Sequence, residues 1–98
     1  MSDEPKAPEQ PAPPPLIEYP TVYGFKVMGK QEHGFAEYVR TLFSRLMGTE
    51  VSQDFIEVVP SSKGTYISLT VSVYLLSEEQ RKSIYLQLHQ EKRILYYL

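Results

Sequence analysis

The run Pro60-Ser61-Ser62-Lys63-Gly64-Thr65-Tyr66-Ile67-Ser68-Leu69-Thr70-Val71-Ser72-Val73-Tyr74-Leu75 decides the architecture of this chain. From Tyr66 onward two kinds of residue alternate without a break: Ile67, Leu69, Val71, Val73 and Leu75 fall on one side, and Tyr66, Ser68, Thr70, Ser72 and Tyr74 on the other. A period of two over that length is a β-strand with one apolar and one hydroxyl-rich face. Such a strand belongs to an antiparallel sheet covered on one side only. Upstream, the β-branched stretch Phe55 to Val59 predicts a second, shorter strand ended by Pro60. Ser61-Ser62-Lys63-Gly64 supplies the turn that joins the two as a hairpin.

Working outward, Tyr23, Phe25 and Val27 share one face of a strand running from Val22 to Met28 and stopping at Gly29. Lys30-Gln31-Glu32-His33-Gly34 reads as a loop, after which Phe35, Tyr38, Val39, Leu42 and Leu46 recur at intervals of three and four. That spacing predicts an amphipathic helix with Gly48 as its stop. Ser77-Glu78-Glu79-Gln80 has the capping-box pattern and opens a second helix, whose Ile84, Tyr85 and Leu88 form a narrower apolar stripe. Arg93 to Leu98 reads as a last strand. The order β-α-β-β-α-β, with right-handed crossovers, is that of the α+β ferredoxin-like split βαβ sandwich: four antiparallel strands backed by two helices.

Ninety-eight residues make room for one small domain, and the absence of cysteine excludes disulfides, thiolate metal sites and a thiol nucleophile. No apolar run approaches the ~20 residues that span a bilayer, and no secretory leader pattern is present, so a cytoplasmic protein is expected. Residues 1–15 hold six of the eight prolines, which predicts a disordered tail over residues 1–18 and a domain over residues 19–98. The tail's PxxP spacing from Pro8 to Pro11 reads as a solubilising segment rather than a docking motif. Residues 1–18 carry Asp3, Glu4, Glu9 and Glu18 against Lys6 for a net −3, leaving +1 on the rest of a chain whose total is −2. A near-neutral domain offers no electrostatic reason to expect nucleic acid as a partner.

Two segments carry a resemblance to a known family. Tyr19-Pro20 through Phe25-Lys26-Val27-Met28-Gly29, together with Val58-Val59-Pro60-Ser61-Ser62-Lys63-Gly64-Thr65-Tyr66 and the strand that follows, resemble the YbeD-type bacterial domain of unknown function. Members commonly carry cysteine after the Tyr/Phe-Pro pair, where this chain has Thr21, which argues against a thiol-based role. The resemblance implies a fold similar to ACT regulatory domains, small modules that bind metabolites and signal to an attached enzyme, with no established catalysis.

Two sets of residues are candidates for function. Gly29, Lys30, Gln31, His33 and Gly34 lie between the first strand and the first helix, where ACT-like domains hold effectors, and helix N-termini present free N–H groups to anions. Lys26, Tyr66, Ser68, Thr70, Ser72 and Tyr74 should line the open sheet face, a composition suited to an interface with a partner protein or a second copy. The RNA-recognition motif shares this strand order, but the positions where it needs aromatics hold Thr65 and Ile67. His33 and His89 are the only imidazoles and lie in separate elements, and Ser61, Ser62 and Lys63 are explained by turn chemistry. No constellation names a reaction, a metal or a cofactor. The expectation is a non-enzymatic module that binds a small metabolite or a protein, with an RNA-binding adaptor as the alternative.

Overall fold

A computed structural model of the chain describes residues 16–98, so the tail expected over residues 1–18, with its PxxP spacing, lies almost wholly outside the described residues. The elements are β1 (Thr21–Lys30), α1 (Phe35–Met47), a 3-10 turn (Gln53–Phe55), β2 (Ile56–Pro60), β3 (Tyr66–Leu75), α2 (Glu78–Gln90) and β4 (Tyr96–Tyr97). The strands form one antiparallel sheet in the order β2-β3-β1-β4. Strand and helix order together make the ferredoxin-like α+β fold expected from the sequence.

The alternation of β3 is realised residue by residue. Ile67, Leu69, Val71, Val73 and Leu75 are buried beneath the helices, with Phe25 and Val27 of β1 beside them. Phe35, Val39, Leu42 and Phe43 from α1, and Ile84 and Leu88 from α2, close the layer from above. Among the described residues the core contains no buried polar or charged side chain. Helix α1 ends at Gly48, whose N–H reaches the Arg45 carbonyl while the Thr49 N–H reaches that of Ser44. At α2 the Ser77 hydroxyl accepts from the Gln80 N–H, and the Gln80 side chain reaches back to the Leu76 N–H at 2.8 Å.

Three boundaries differ from the sequence reading. Strand β1 continues through Gly29 to Lys30 instead of stopping at Gly29, because the β3 ladder holds it: Gly29 lies opposite Ile67, Lys30 opposite Tyr66, and the Gln31 N–H still donates to the Thr65 carbonyl at 2.8 Å. Strand β2 begins at Ile56 and includes Pro60. In this antiparallel pair the Ser61 N–H bonds the Tyr66 carbonyl, so the nitrogen of residue 60 faces away from β3, where an edge strand tolerates proline. Strand β4 shrinks to Tyr96–Tyr97 because residues 91–94 form a turn, the Ile94 N–H donating to the Glu91 carbonyl.

Candidate functional site

The β1–α1 connection does not gather all its predicted residues around one space. A side-chain carbon at Gly29 would lie 2.5 Å from the Phe35 ring and 2.6 Å from the Arg93 carbonyl oxygen, so the absent side chain makes room for core packing. Gln31 is spent on the ladder with Thr65, and His33 is exposed in the turn. Gly34 caps α1 with φ +79°, a left-handed conformation that glycine adopts at no steric cost, and its carbonyl accepts the Tyr38 N–H. Of the predicted set, Lys30 alone borders the adjacent hollow, which is about 220 Å³ and is shared with Glu32, Phe35, Lys92, Arg93 and Leu95. Sequence reading missed Lys92 and Arg93, which the turn before β4 carries to this place. Arg93 stacks on Tyr38 at 4.6 Å and on Phe35 at 5.4 Å. The Tyr38 hydroxyl bonds Glu91, and burial followed by that carboxylate pushes its pKa up to about 12. A phenol so poised keeps its proton and works as a pin, not as a base.

A second polar cluster fixes the opposite end of the molecule. Glu78 takes a two-point bond from Arg81, at 3.0 and 2.6 Å, and a third from the Tyr19 hydroxyl at 2.5 Å. Those contacts, the guanidinium first, hold the Glu78 carboxyl down at about 2. Arg81 also lies over the rings of Tyr23 and Tyr85, whose hydroxyls share a 3.0 Å bond. Burial, with Tyr23 next, pushes the Tyr85 phenol up. Every group in the cluster is satisfied by a neighbour, which suits a clasp between the start of β1 and α2. Among the described residues, no group of three His, Cys, Asp or Glu side chains comes together as metal ligands would.

The open sheet face does gather its predicted residues. Lys26 lies opposite Thr70, Ser72 opposite Gly24, Ser68 opposite Met28, and Tyr66 and Tyr74 opposite Lys30 and Val22. The register extends these pairs into rows across the sheet. Val59, Ser68, Met28 and Tyr96 form one row, and Glu57, Thr70, Lys26 and Leu98 the next. Tyr74 is 56% exposed, Val59 53%, Tyr96 55% and Leu98 56%, so the face is apolar between its hydroxyls. Val22, Met28, Val59, Tyr96 and Leu98 were absent from the sequence expectation. The signal existed for Met28, which is even-numbered on a strand whose buried residues, Phe25, Val27 and Gly29, are odd. Tyr96 and Leu98 became visible only once β4 was paired with β1.

An apolar concavity lies at the far end of β3, where sequence reading expected Ser72 and Tyr74 as interface residues but no pocket. A pocket of about 440 Å³ is lined by Ser72, Val73, Tyr74 and Leu76 on one side and by Met47, Val51 and Phe55 on the other. Arg40 bonds the Val51 carbonyl at 3.2 Å and the Ser44 hydroxyl accepts the Val51 N–H at 2.8 Å, which fixes the far wall.

Comparison with known proteins agrees with this architecture. The family model described as "Protein of unknown function (DUF493)" matches residues 14–98. UPF0250 protein RSc0326 of Ralstonia nicotianae is 39% identical over 85 residues, covering 87% of this chain and 87% of that protein. UPF0250 protein NE1487 of Nitrosomonas europaea is 33% identical over 79 residues, covering 81% of this chain and 90% of the relative. The UPF0250 protein of Paraburkholderia phytofirmans is 41% identical over 70 residues, covering 71% of this chain and 78% of the relative. The solution structure of protein HP0495 from H. pylori matches with a TM-score of 0.62 at 17% identity, covering 95% of this chain and 96% of that one, a likeness of fold. With the Lys-Val-Met-Gly run on β1 and the Pro-Ser-Ser-x-Gly-x-Tyr turn before β3 both in place, this chain belongs to the DUF493 family of proteins of unknown function, the YbeD-like group that its sequence resembles.

Proposed function

We propose that this chain is a non-catalytic, cytoplasmic binding module that docks a partner protein on its uncovered sheet face and so regulates that partner. One observation carries the reading: the Val59–Ser68–Met28–Tyr96 row spans all four strands, with Val59 and Tyr96 more than half exposed and Met28 half-buried between them. Tyrosine and methionine offer large contact area at modest desolvation cost, and Lys26 and Glu57 on the adjacent row fix orientation with opposite charges. A second copy of the chain meets the same requirements, since Lys26 and Glu57 complement their own mates across a two-fold axis.

The test compares the wild-type chain with a Met28→Asp/Tyr96→Asp variant in affinity capture from the source cytoplasm, alongside sedimentation of both purified proteins. The reading expects a stoichiometric protein, or a self-dimer, that the variant loses while remaining folded. Identical capture and sedimentation profiles for the two, or turnover of a substrate by purified protein, would contradict it.

A small anionic effector is the second reading, favoured by Lys30, Lys92 and Arg93 bordering one hollow beside the start of α1. Titration with carboxylate metabolites should then move the amides of residues 29–35 in an NMR spectrum, and unmoved amides would remove it. The RNA-binding alternative gains nothing from Ile67, which is buried under the helices instead of lying on the open face. A gel shift at low salt tests that alternative.

A further inference from the structure

We propose that the groove beside the far end of β3 receives an extended peptide segment of a partner protein, bearing a lysine or arginine, which adds to the sheet as a short strand next to Ser72–Leu75. This goes beyond docking on the open face, because the contact is made by a strand edge: the groove shares Val22, Ser72 and Tyr74 with that face but adds Met47, Val51 and Phe55.

The two edges of β3 are unequal. Against β1 the pairing is continuous from Tyr66 to Leu75, whereas against β2 it ends at the Ile56–Val71 pair. Antiparallel strands alternate the direction of their main-chain groups, and the bond from the Ser61 N–H to the Tyr66 carbonyl sets the phase: even-numbered residues of β3 turn theirs toward β2. Past Val71 the chain on that side leaves the ladder, because the Phe55 N–H goes instead to the Ser52 carbonyl within the 3-10 turn. Among the described residues, the Ser72 carbonyl and both main-chain groups of Tyr74 therefore have no strand beside them. Farther on, the Leu76 N–H is already taken by Gln80, so the open edge is short and bounded.

That edge does not face bulk water alone. It forms one wall of the 440 Å³ groove, whose opposite wall is Met47, Val51 and Phe55. An added strand would sit in the line that β2 vacates. Its side chains would fall alternately toward Met47 and Val51 on the helix side and toward Phe55 and Tyr74 on the open side. Apolar residues suit both directions. Phe55, Tyr74, Leu76 and Val22 are each more than half exposed around this space, a concentration of solvated apolar surface that marks interaction sites.

Charge selects the occupant. Among the described residues, Glu50 is the only charged side chain lining the groove. Its cationic neighbour Arg40 is held at 3.3 Å but is already engaged by both carboxylate oxygens of Glu37. A cationic residue on the incoming segment answers Glu50. The chain's own residues 1–15 do not, since they hold Asp3, Glu4 and Glu9 against Lys6, and their six prolines cannot donate the N–H groups a ladder needs.

The test uses the full chain and a random nonamer peptide library. Selection should enrich extended sequences with alternating apolar residues and at least one Lys or Arg. The enriched peptide, added to isotope-labelled protein, should shift the Tyr74 and Val51 amides and slow hydrogen exchange at the Tyr74 N–H. Glu50→Lys should weaken that peptide by about fivefold, the scale of one exposed ion pair. Val51→Asp should abolish binding; should that variant unfold, Tyr74→Pro serves instead, because it deletes the edge donor and leaves every bond to β1 intact. Peptides that shift open-face amides but leave the Val51 amide and the Tyr74 exchange unchanged, or whose affinity ignores Glu50→Lys, overturn the proposal. So does protection of Tyr74 that rises with protein concentration in the absence of peptide, which would assign the edge to a second copy.

Discussion

The two sides of β3 are built from one run of ten residues and live in different solvents. Toward the helices, Ile67 to Leu75 bury every second side chain among Phe25, Val39, Leu42 and Leu88; on the other side, Ser68, Thr70 and Ser72 sit between two exposed tyrosines. The difference separates two duties by parity. Burial of apolar area, worth ~25 cal/mol per Å², resides on the odd positions and holds the fold. The even positions are free of that demand, so their chemistry can follow whatever is bound. A step of one residue along the strand therefore moves a substitution from one regime to the other.

The largest expected effect breaks this comparison at adjacent residues. Leu69→Ala removes a fully buried side chain and should cost about 2–5 kcal/mol in urea unfolding. Thr70→Ala, one residue on, should stay within about 0.5 kcal/mol of wild type. Similar losses at both positions would mean that the open face is covered in solution.

Gly29→Ala is the next largest. The new carbon would meet the Phe35 ring at 2.5 Å and the Arg93 carbonyl at 2.6 Å, and of these the second is backbone and cannot swing aside. Overpacking on that scale costs about 1–3 kcal/mol. Pairing it with Phe35→Leu should recover part of the loss and not all of it, because the Arg93 carbonyl remains. A fully neutral Gly29→Ala would show that this corner of the covered side is looser than the contacts say.

Smaller still is the effect of acid on the clasp at the rim of the helix layer. Glu78 is held at about 2 against an ordinary 4.5, chiefly by Arg81. A carboxylate with a lowered folded-state pKa stabilises the protein above its unfolded value and loses that contribution as pH falls through the folded one. Wild type should thus melt above Glu78→Gln at neutral pH, with the gap closing between about 4.5 and 2. A gap in melting temperature that persists unchanged at pH 2 would contradict the role given to this ion pair.

Sequence carried most of the fold and part of the candidate surface. Strand β3 and helix α1 were legible because their periods are unbroken, and α2 because Ser77 and Gln80 announce its start. The end of β1 was not legible. Gly29 looks like a stop in isolation, and only the ring of Phe35 and the ladder with β3 show why a glycine sits inside a strand. The open-face hydroxyls followed from parity, whereas Tyr96 and Leu98 joined them through a pairing between chain ends some seventy residues apart in sequence. The groove had no local signature. It exists because β2 starts too late to cover the far end of β3, a relation between two lengths that neither strand encodes alone.

Hydrogen exchange along β3 tests the central claim most directly, since one strand supplies both the paired and the unpaired edge. The Ser68 and Thr70 amides, turned toward β2, should exchange slowly, as should those of Val71 and Val73, turned toward β1. The Tyr74 amide, turned toward the groove, should exchange faster than all four by orders of magnitude. Equal protection at Tyr74 in dilute, partner-free protein would mean that the edge is closed, and the account of this surface would fail.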